Sequence, residues 1–193
     1  VLDVGTGLGT YAFFAAQAGA ESVVAVDSAP VLHLAETLAS ANGLAERMTF
    51  VRGSLPEVPV EGEFDLIMCE DFPTSLLDHP TFLLLRSLQE RYLASGGRML
   101  PKAARLSIAP VQSDVVRDET FPLGETEERF GIDWSGLRPF LANAPRRVSL
   151  GPADVRGEAV LGPSLPLYPV PKADALRVDG SWGAGDPGII HGL

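Results

Sequence analysis

Residues 1–10 read VLDVGTGLGT: a short aliphatic run, interrupted by Asp3, leads directly into Gly5, Gly7 and Gly9. A strand that ends in a glycine-rich turn and is followed by helix formers (YAFFAAQAGA, residues 11–20) is the pattern of a first parallel strand, a ligand-approaching loop and its crossover helix. The same alternation repeats outward from it. SVVAVD (22–27), MTFVRG (48–53), FDLIMCE (64–70) and RML (98–100) read as buried strands. Between them, Val31, Leu34, Ala35 and Leu38 recur at helical spacing, and TFLLLRSLQERYL (81–93) is a second helical run, ending before the turn ASGG. Gly19 suits the left-handed cap after the first helix, and Asn42 with Gly43 stops the next one, for which Ser28 is the expected cap. The expected fold class is α/β: a Rossmann-like parallel sheet with helices on both faces.

The texture changes after Pro101. Of 16 prolines, 11 lie from Pro101 onward (all except Pro30, Pro56, Pro59, Pro73 and Pro80), and helical periodicity fades. Proline at this density fits loops and edge strands. ARLSIAPVQS (104–113), RRVSL (146–150) and ADALRVDG (173–180) read as β segments between turns. The expected organisation is a cofactor-binding domain over residues 1–101 and a β-rich, partial barrel-like appendage over 102–193. The glycine-rich close GSWGAGDPGIIHGL (180–193) reads as a loose end or a cut strand. Because Val1 already lies inside a strand pattern, the sequence is expected to be a segment of a longer chain.

Composition narrows the partners. With 15 Lys+Arg against 25 Asp+Glu the net charge is -10, which argues against a nucleic-acid partner and suits a cationic substrate. No apolar run approaches the roughly 20 residues that a membrane helix needs. Cys69 is the single cysteine, so no internal disulfide framework exists, and a reducing, cytoplasmic setting is expected. No metal site is expected.

The glycine spacing chooses among ligands. A dinucleotide fingerprint, G-x-G-x-x-G, requires glycine at position 10, where this chain has Thr10 and instead places its third glycine at Gly9. No Gly-Lys-Ser/Thr follows, so the phosphate-cradling P-loop is excluded as well. G-x-G-x-G after a strand that carries an acid is the spacing of S-adenosylmethionine sites. Asp27 closes the second strand about 20 residues beyond the loop, where a carboxylate can accept both hydroxyls of a ribose. Asp27 by itself does not separate S-adenosylmethionine from a nicotinamide or flavin dinucleotide.

Taken together, VLDVGTGLGTYAFFAAQAGAESVVAVD, ANGLAERMTFVRGSLPEV, FDLIMCE, GGRMLPKAARLSIAPV and RFGIDWSGLR make the chain similar to the protein arginine methyltransferases over roughly residues 1 to 140. The MLP exit and the FGIDWS segment make the resemblance more specific than one to methyltransferases at large. It implies a seven-stranded cofactor-binding fold leading into a β-barrel, and methyl transfer from S-adenosyl-L-methionine to a guanidinium nitrogen, with S-adenosyl-L-homocysteine as product. It also implies protein substrates that are cationic, and leaves open a homodimer of the full-length parent. Carried onto this sequence, Asp3, Gly5, Gly7 and Gly9 line the methionine portion, Asp27 and Ser28 the ribose, and Ser54 with Leu55 the adenine edge, where Pro56 stands in place of the family's usual acid. Glu70 matches the first of the family's paired glutamates and falls against both cofactor and acceptor.

Such a pair has a chemical purpose. A guanidinium is always protonated and hydrogen-bonds bidentately to carboxylates, which aim one nitrogen at the methyl group. In EDFPTSLLDHPTF (70–82) the second glutamate's place falls at His79, with Asp78 just before it, so both are candidates for that role or for capping the helix that starts near Pro80. The family's helices before the first strand and its Thr-His-Trp loop are not found in this sequence. Two alternatives therefore stand beside arginine methylation: another amine acceptor such as lysine or a small molecule, and a catalytically degenerate module that binds the cofactor or a protein.

Overall fold

The computed structural model describes residues 1–70, 72, 79–121, 128–144, 146–169 and 179. Four crossovers build its central sheet. Strand β1 (Leu2–Val4) leads through helix α1 (Thr10–Gln17) to β2 (Val23–Asp27), and α2 (Leu32–Ala41) leads on to β3 (Met48–Arg52). After β3 the chain crosses to β4 (Phe64–Cys69), and α3 (His79–Tyr92) returns it to β5 (Leu93–Leu100). All neighbours are parallel, in the order β3-β2-β1-β4-β5, so the order reverses between β1 and β4. The α/β reading of the sequence is borne out, with five strands in this sheet where the resemblance implies seven.

Strand alternation assigns the two faces. Leu2, Val4, Val26 and Ile67 join Leu85, Leu88 and Tyr92 of α3 in one core cluster. Val23, Ala25 and Met48 point the other way and pack with Ala12 and Ala16 of α1 and Ala39 of α2. Right-handed crossovers demand this separation once the strand order reverses. Asp3 pairs in register with Ala25 and Met68, which puts it on the α1 face.

Local signals explain the ends of the elements. Ala20 N–H donates to Ala15 C=O (3.1 Å) and Gly19 N–H to Ala16 C=O (3.2 Å), the paired bonds that a left-handed residue after a helix allows, with Gly19 at φ 98°. Helix α2 differs from its expected form. Its N-cap is Val31 with no side-chain cap, and the preceding turn is held by Asp27, whose Oδ1 accepts the Ala29 N–H at 2.7 Å. Ser28 does not cap it. Leu32, Ala35 and Ala39 are the buried residues of α2, while Leu34 and Leu38 face outward, because a small-residue face lets the helix lie close against the sheet. ASGG is not a turn before the fifth strand but part of β5, where the register with β4 shifts between Phe64 and Leu66.

Beyond Pro101 the expected segment at 104–113 overlaps β6 (Ala103–Ile108), whereas residues 146–150 form no strand, and 173–180 lie outside the described residues apart from Asp179. Helix α4 (Asp114–Thr120), the two-residue strands β7 (Glu128–Arg129) and β8 (Ile132–Asp133), helix α5 (Arg138–Ala142) and strand β9 (Val160–Pro166) follow. The β-rich region therefore carries two helices that its proline content concealed. Strands β6 and β9 pair with each other, as do β7 and β8.

The chain divides into two compact units, one of Val1–Arg105 with Ser164–Ala175 and one of Leu106–Pro163 with Leu176–Leu193. In the first, Leu167 returns late in the sequence to the α3-side core, 1% exposed, its N–H donating to Lys102 C=O at 2.8 Å. In the second, Arg117 pairs with Asp114 and Asp118, each at 2.9 Å, on the surface of α4.

Candidate functional site

The glycine loop is a hydrogen-bonded knot between β1, β2 and α1. Gly5 and Thr6 both donate their N–H groups to Val26 C=O, at 2.9 and 3.1 Å, and Gly9 N–H donates to Thr6 C=O at 2.7 Å. Gly5, Gly7 and Gly9 have φ of 77°, 54° and 85°, so all three occupy the left-handed region that favours glycine. Asp27 locks the loop from β2: its Oδ2 accepts the Gly7 N–H at 2.7 Å while Oδ1 accepts Ala29. Each oxygen of an ionised carboxylate retains a second acceptor site, so the group is oriented and still able to bind.

Asp3 is held as firmly. It is 2% exposed, and the Thr6 hydroxyl donates to its Oδ2 at 2.6 Å. Burial pushes its carboxyl above the usual carboxylate range, and the negative charges of Glu70 and Asp27 add to that. The hydrogen bonds from Thr6 and from the backbone amide of Ala12 pull the other way. The three acids thus sit close enough to feel one another: Asp3 in the middle of β1, Asp27 at the end of β2 and Glu70 just past the end of β4.

A pocket of about 400 Å³ opens beside the order reversal, lined by Asp3, Tyr11, Met68, Cys69, Glu70, Phe72, Leu100 and Pro101. Its position matches the crevice in which open parallel sheets bind ligands, and its volume falls within the small-molecule range. Glu70 is exposed at its rim, its N–H donating to Val4 C=O at 3.2 Å, so the end of β4 is tied to the end of β1. An acid at the floor, an acid at the rim and apolar or aromatic walls suit a small cation with an apolar body.

Of the residues singled out from sequence, the structure ties the loop of Gly5, Gly7 and Gly9 to Asp27 through the Gly7 N–H and to Asp3 through the Thr6 hydroxyl, and brings Asp3 and Glu70 to one pocket. Ser28 is exposed beside Asp27. Ser54 and Leu55 form the turn after β3, where Ser54 C=O accepts the N–H groups of Glu57 and Val58 and Leu55 is buried in the core. His79 is the first residue of α3 and its side chain, like all of Asp78, lies outside the described residues. Sequence reasoning missed Thr6, Tyr11 and Phe72. Thr6 had a readable signal: a hydroxyl three residues after a strand acid, inside the loop that must fold back over it. Tyr11 and Phe72 had none, because only the pairing of β4 with β1 brings them to the same pocket. Among the described residues no cluster of metal-ligating side chains occurs, and no helix is long and apolar enough to cross a membrane.

Residues 1–97 match the family described as methyltransferase domain. The chain is 30% identical over 187 residues to protein arginine N-methyltransferase 6 of Xenopus laevis, covering 94% of this chain and 55% of that protein. It is 36% identical over 148 residues to protein arginine N-methyltransferase PRMT10 of Oryza sativa subsp. japonica, covering 71% of this chain and 39% of that one. The fold is similar to that of the PRMT1 enzyme-prozyme heterotetrameric complex of Trypanosoma brucei, solved with AdoHcy (TM-score 0.74, 24% identity, covering 90% of this chain and 54% of that one). The chain spans about half the length of the frog relative, and less of the rice protein.

Proposed function

Since the chain belongs to the methyltransferase domain family and is similar over most of its length to protein arginine N-methyltransferases, we propose that it is the cofactor-binding part of an enzyme that methylates a guanidinium nitrogen of a protein. The observation that carries this reading is the coincidence of two arrangements at one sheet edge: the glycine loop locked by Asp27, and the pocket that holds Asp3 and Glu70 together. When bound there, S-adenosylmethionine supplies an activated methyl group.

The residues of the chain do the rest. The left-handed glycines let backbone approach the methionine portion without side-chain interference, and Asp27, with Ser28 beside it, receives the ribose hydroxyls. Ser54 and Leu55 border the adenine. Asp3 places negative charge beneath the cationic end of the cofactor. Glu70, at the rim, hydrogen-bonds the acceptor guanidinium and aims one nitrogen along the line of transfer, with Asp78 or His79 as its partner acid or base on the following segment. Substrates are cationic protein side chains, the surroundings are cytoplasmic, and assembly into an oligomer takes place in the full-length protein.

The presence of Asp78 and His79 where a second glutamate is expected favours a second reading, in which the acceptor is a lysine or a small amine. Glu70→Gln in the full-length enzyme tests both. Turnover with an arginine peptide, read by mass spectrometry, is expected to fall by about 10²-fold, the size of effect seen when one charge-positioning contact is removed, while S-adenosylhomocysteine still binds. Wild-type turnover in that variant would overturn the role of Glu70. Methylation confined to lysine peptides or free amines would select the second reading.

A further inference from the structure

We propose that Ser149 is a phosphorylation site for an arginine-directed protein kinase, and that its phosphate draws Arg146 away from the end of α5. The site lies in the second unit and does not depend on the methyl-transfer reading.

Residues 146–150 read RRVSL, and Arg146 with Arg147 is the one pair of adjacent Lys or Arg residues in the chain. From Trp134 to Ala153 the sequence has no acid and three arginines, Arg138, Arg146 and Arg147, so a locally cationic stretch stands within a chain of net charge -10. Its composition suggests a strand, yet residues 146–150 belong to neither helix nor strand, and Arg147, Ser149 and Leu150 are exposed, Leu150 at 39%. A kinase must lay its substrate out in extended form to reach a hydroxyl, which a helix or a sheet ladder resists. Kinases of the arginine-directed kind read guanidinium groups two and three residues before the acceptor with carboxylates of their own, because the planar fork pairs bidentately with an acid. Leu150 adds the apolar side chain directly after the acceptor. Thr49, Ser54 and Ser107 have an arginine two residues before them and no base at three; Thr49 and Ser107 lie in β3 and β6, and Ser54 is followed by the buried Leu55.

The transfer takes the terminal phosphoryl group of ATP to Ser149 Oγ. The bond from the γ-phosphorus to the β,γ-bridging oxygen breaks as the Oγ–P bond forms, ADP leaves, and the hydroxyl proton passes to the kinase's base and then to solvent. Arg146 makes the product a switch. Its Nη1 donates to Leu141 C=O at 2.6 Å and to Ala144 C=O at 2.9 Å, so the guanidinium caps the last carbonyls of α5, a helix of five residues. The Asn143 side-chain amide, donating to Pro139 C=O at 2.7 Å, is a second such cap. A phosphoserine three residues beyond Arg146 carries a charge of about -1.5 to -2 at neutral pH and three acceptor oxygens, a stronger partner for a guanidinium than neutral carbonyls. A helix this short depends on its side-chain caps, since so few residues cannot offset the cost of nucleation. Phosphorylation therefore loosens the end of α5.

Incubation of the full chain with ATP and the catalytic subunit of cyclic-AMP-dependent protein kinase, an arginine-directed enzyme, tests the site by intact mass and peptide fragmentation. One phosphate is expected, at Ser149, and none there in Ser149→Ala. Arg147→Ala is expected to lower kcat/KM for phosphorylation by about tenfold, the loss of one charged contact. The switch is read in the phosphorylated chain by NMR: the Arg146 guanidinium signals shift, and the amides of Asn143 and Ala144 exchange about fivefold faster, as for one hydrogen bond lost. Arg146→Ala speeds the same exchange without phosphate. A chain that takes no phosphate at Ser149, or an undiminished rate in Arg147→Ala, overturns the site. Arg146 signals and exchange rates that phosphorylation leaves unchanged overturn the switch.

Discussion

Two glycines of the loop separate folding from binding. Gly9 has φ 85°, and a Cβ there would lie 2.9 Å from Cζ of Phe13 and 3.3 Å from Cβ of Ala35, whereas a Cβ on Gly7, at φ 54°, meets nothing within 4 Å. Gly9→Ala therefore combines left-handed strain with a clash against α1 and α2 and is expected to destabilise the chain by about 2–3 kcal/mol, compared with about 1 kcal/mol for Gly7→Ala. Gly7→Ala instead fills space over the loop and loses cofactor affinity out of proportion to its stability. Denaturant unfolding paired with calorimetry checks the contrast, and equal stability losses would count against it. Asp3 contributes the opposite trade. Its folded carboxyl binds its proton more tightly than the unfolded one, so the native state loses stability as pH rises from the usual carboxylate value through the raised one. Asp3→Asn, whose oxygen can accept from Ala12 while its amide donates to the Thr6 hydroxyl, is expected to raise the melting temperature of the ligand-free chain at neutral pH, with the gain vanishing in acid. A variant less stable than wild type at neutral pH would sink that account. The loop acids were legible in the sequence because strand, glycines and acid follow one another within it. Their mutual proximity was not, since it depends on which strand lies beside β1.

Among the elements, short strands with β-branched or aliphatic runs were readable, and the uncovered cases show what sequence periodicity leaves out. Leu34 and Leu38 mark helical spacing yet face outward, because Ala35 and Ala39 permit the closer approach to the sheet. The sequence ASGG has turn composition, but Gly96 at φ 79° and the displaced pairing opposite Phe64 and Leu66 absorb it within β5. Helices α4 and α5 are short enough, at seven and five residues, for proline-rich flanks to obscure them. Leu167 is the clearest case of a contact that no local pattern announces. It follows β9 in a segment of turn-like composition, yet buries its side chain in the same cluster as Leu85, Leu88 and Met99. Leu167→Ala is expected to cost about 2–5 kcal/mol, the range for a fully buried leucine. Thermal and denaturant unfolding of the full chain measure it. A loss below about 0.5 kcal/mol, the level of a surface substitution, would show that the returning segment does not contribute to the core.

At the scale of the whole molecule, charge links composition to the site. The net charge of -10 was visible from the start, and it acquires meaning because Asp3, Asp27 and Glu70 gather at one sheet edge, where the described residues that line the pocket include two acids and no base. A surplus of negative charge around an acidic pocket attracts cationic ligands through a long-range field that salt screens, with a Debye length falling from about 30 Å at 0.01 M to about 8 Å at 0.15 M ionic strength. Binding of an arginine-containing peptide to the full chain, followed by fluorescence anisotropy, is therefore expected to weaken by about tenfold across that range. The same peptide with citrulline in place of arginine, uncharged and nearly isosteric, is expected to bind weakly with little salt dependence. Equal salt dependence for the two peptides would mean that the general surface, and not the acid-lined pocket, does the attracting. Because both peptides share every other residue, the difference between their salt slopes isolates the charge of one side chain, which is the quantity that the proposed role of Glu70 requires the site to read.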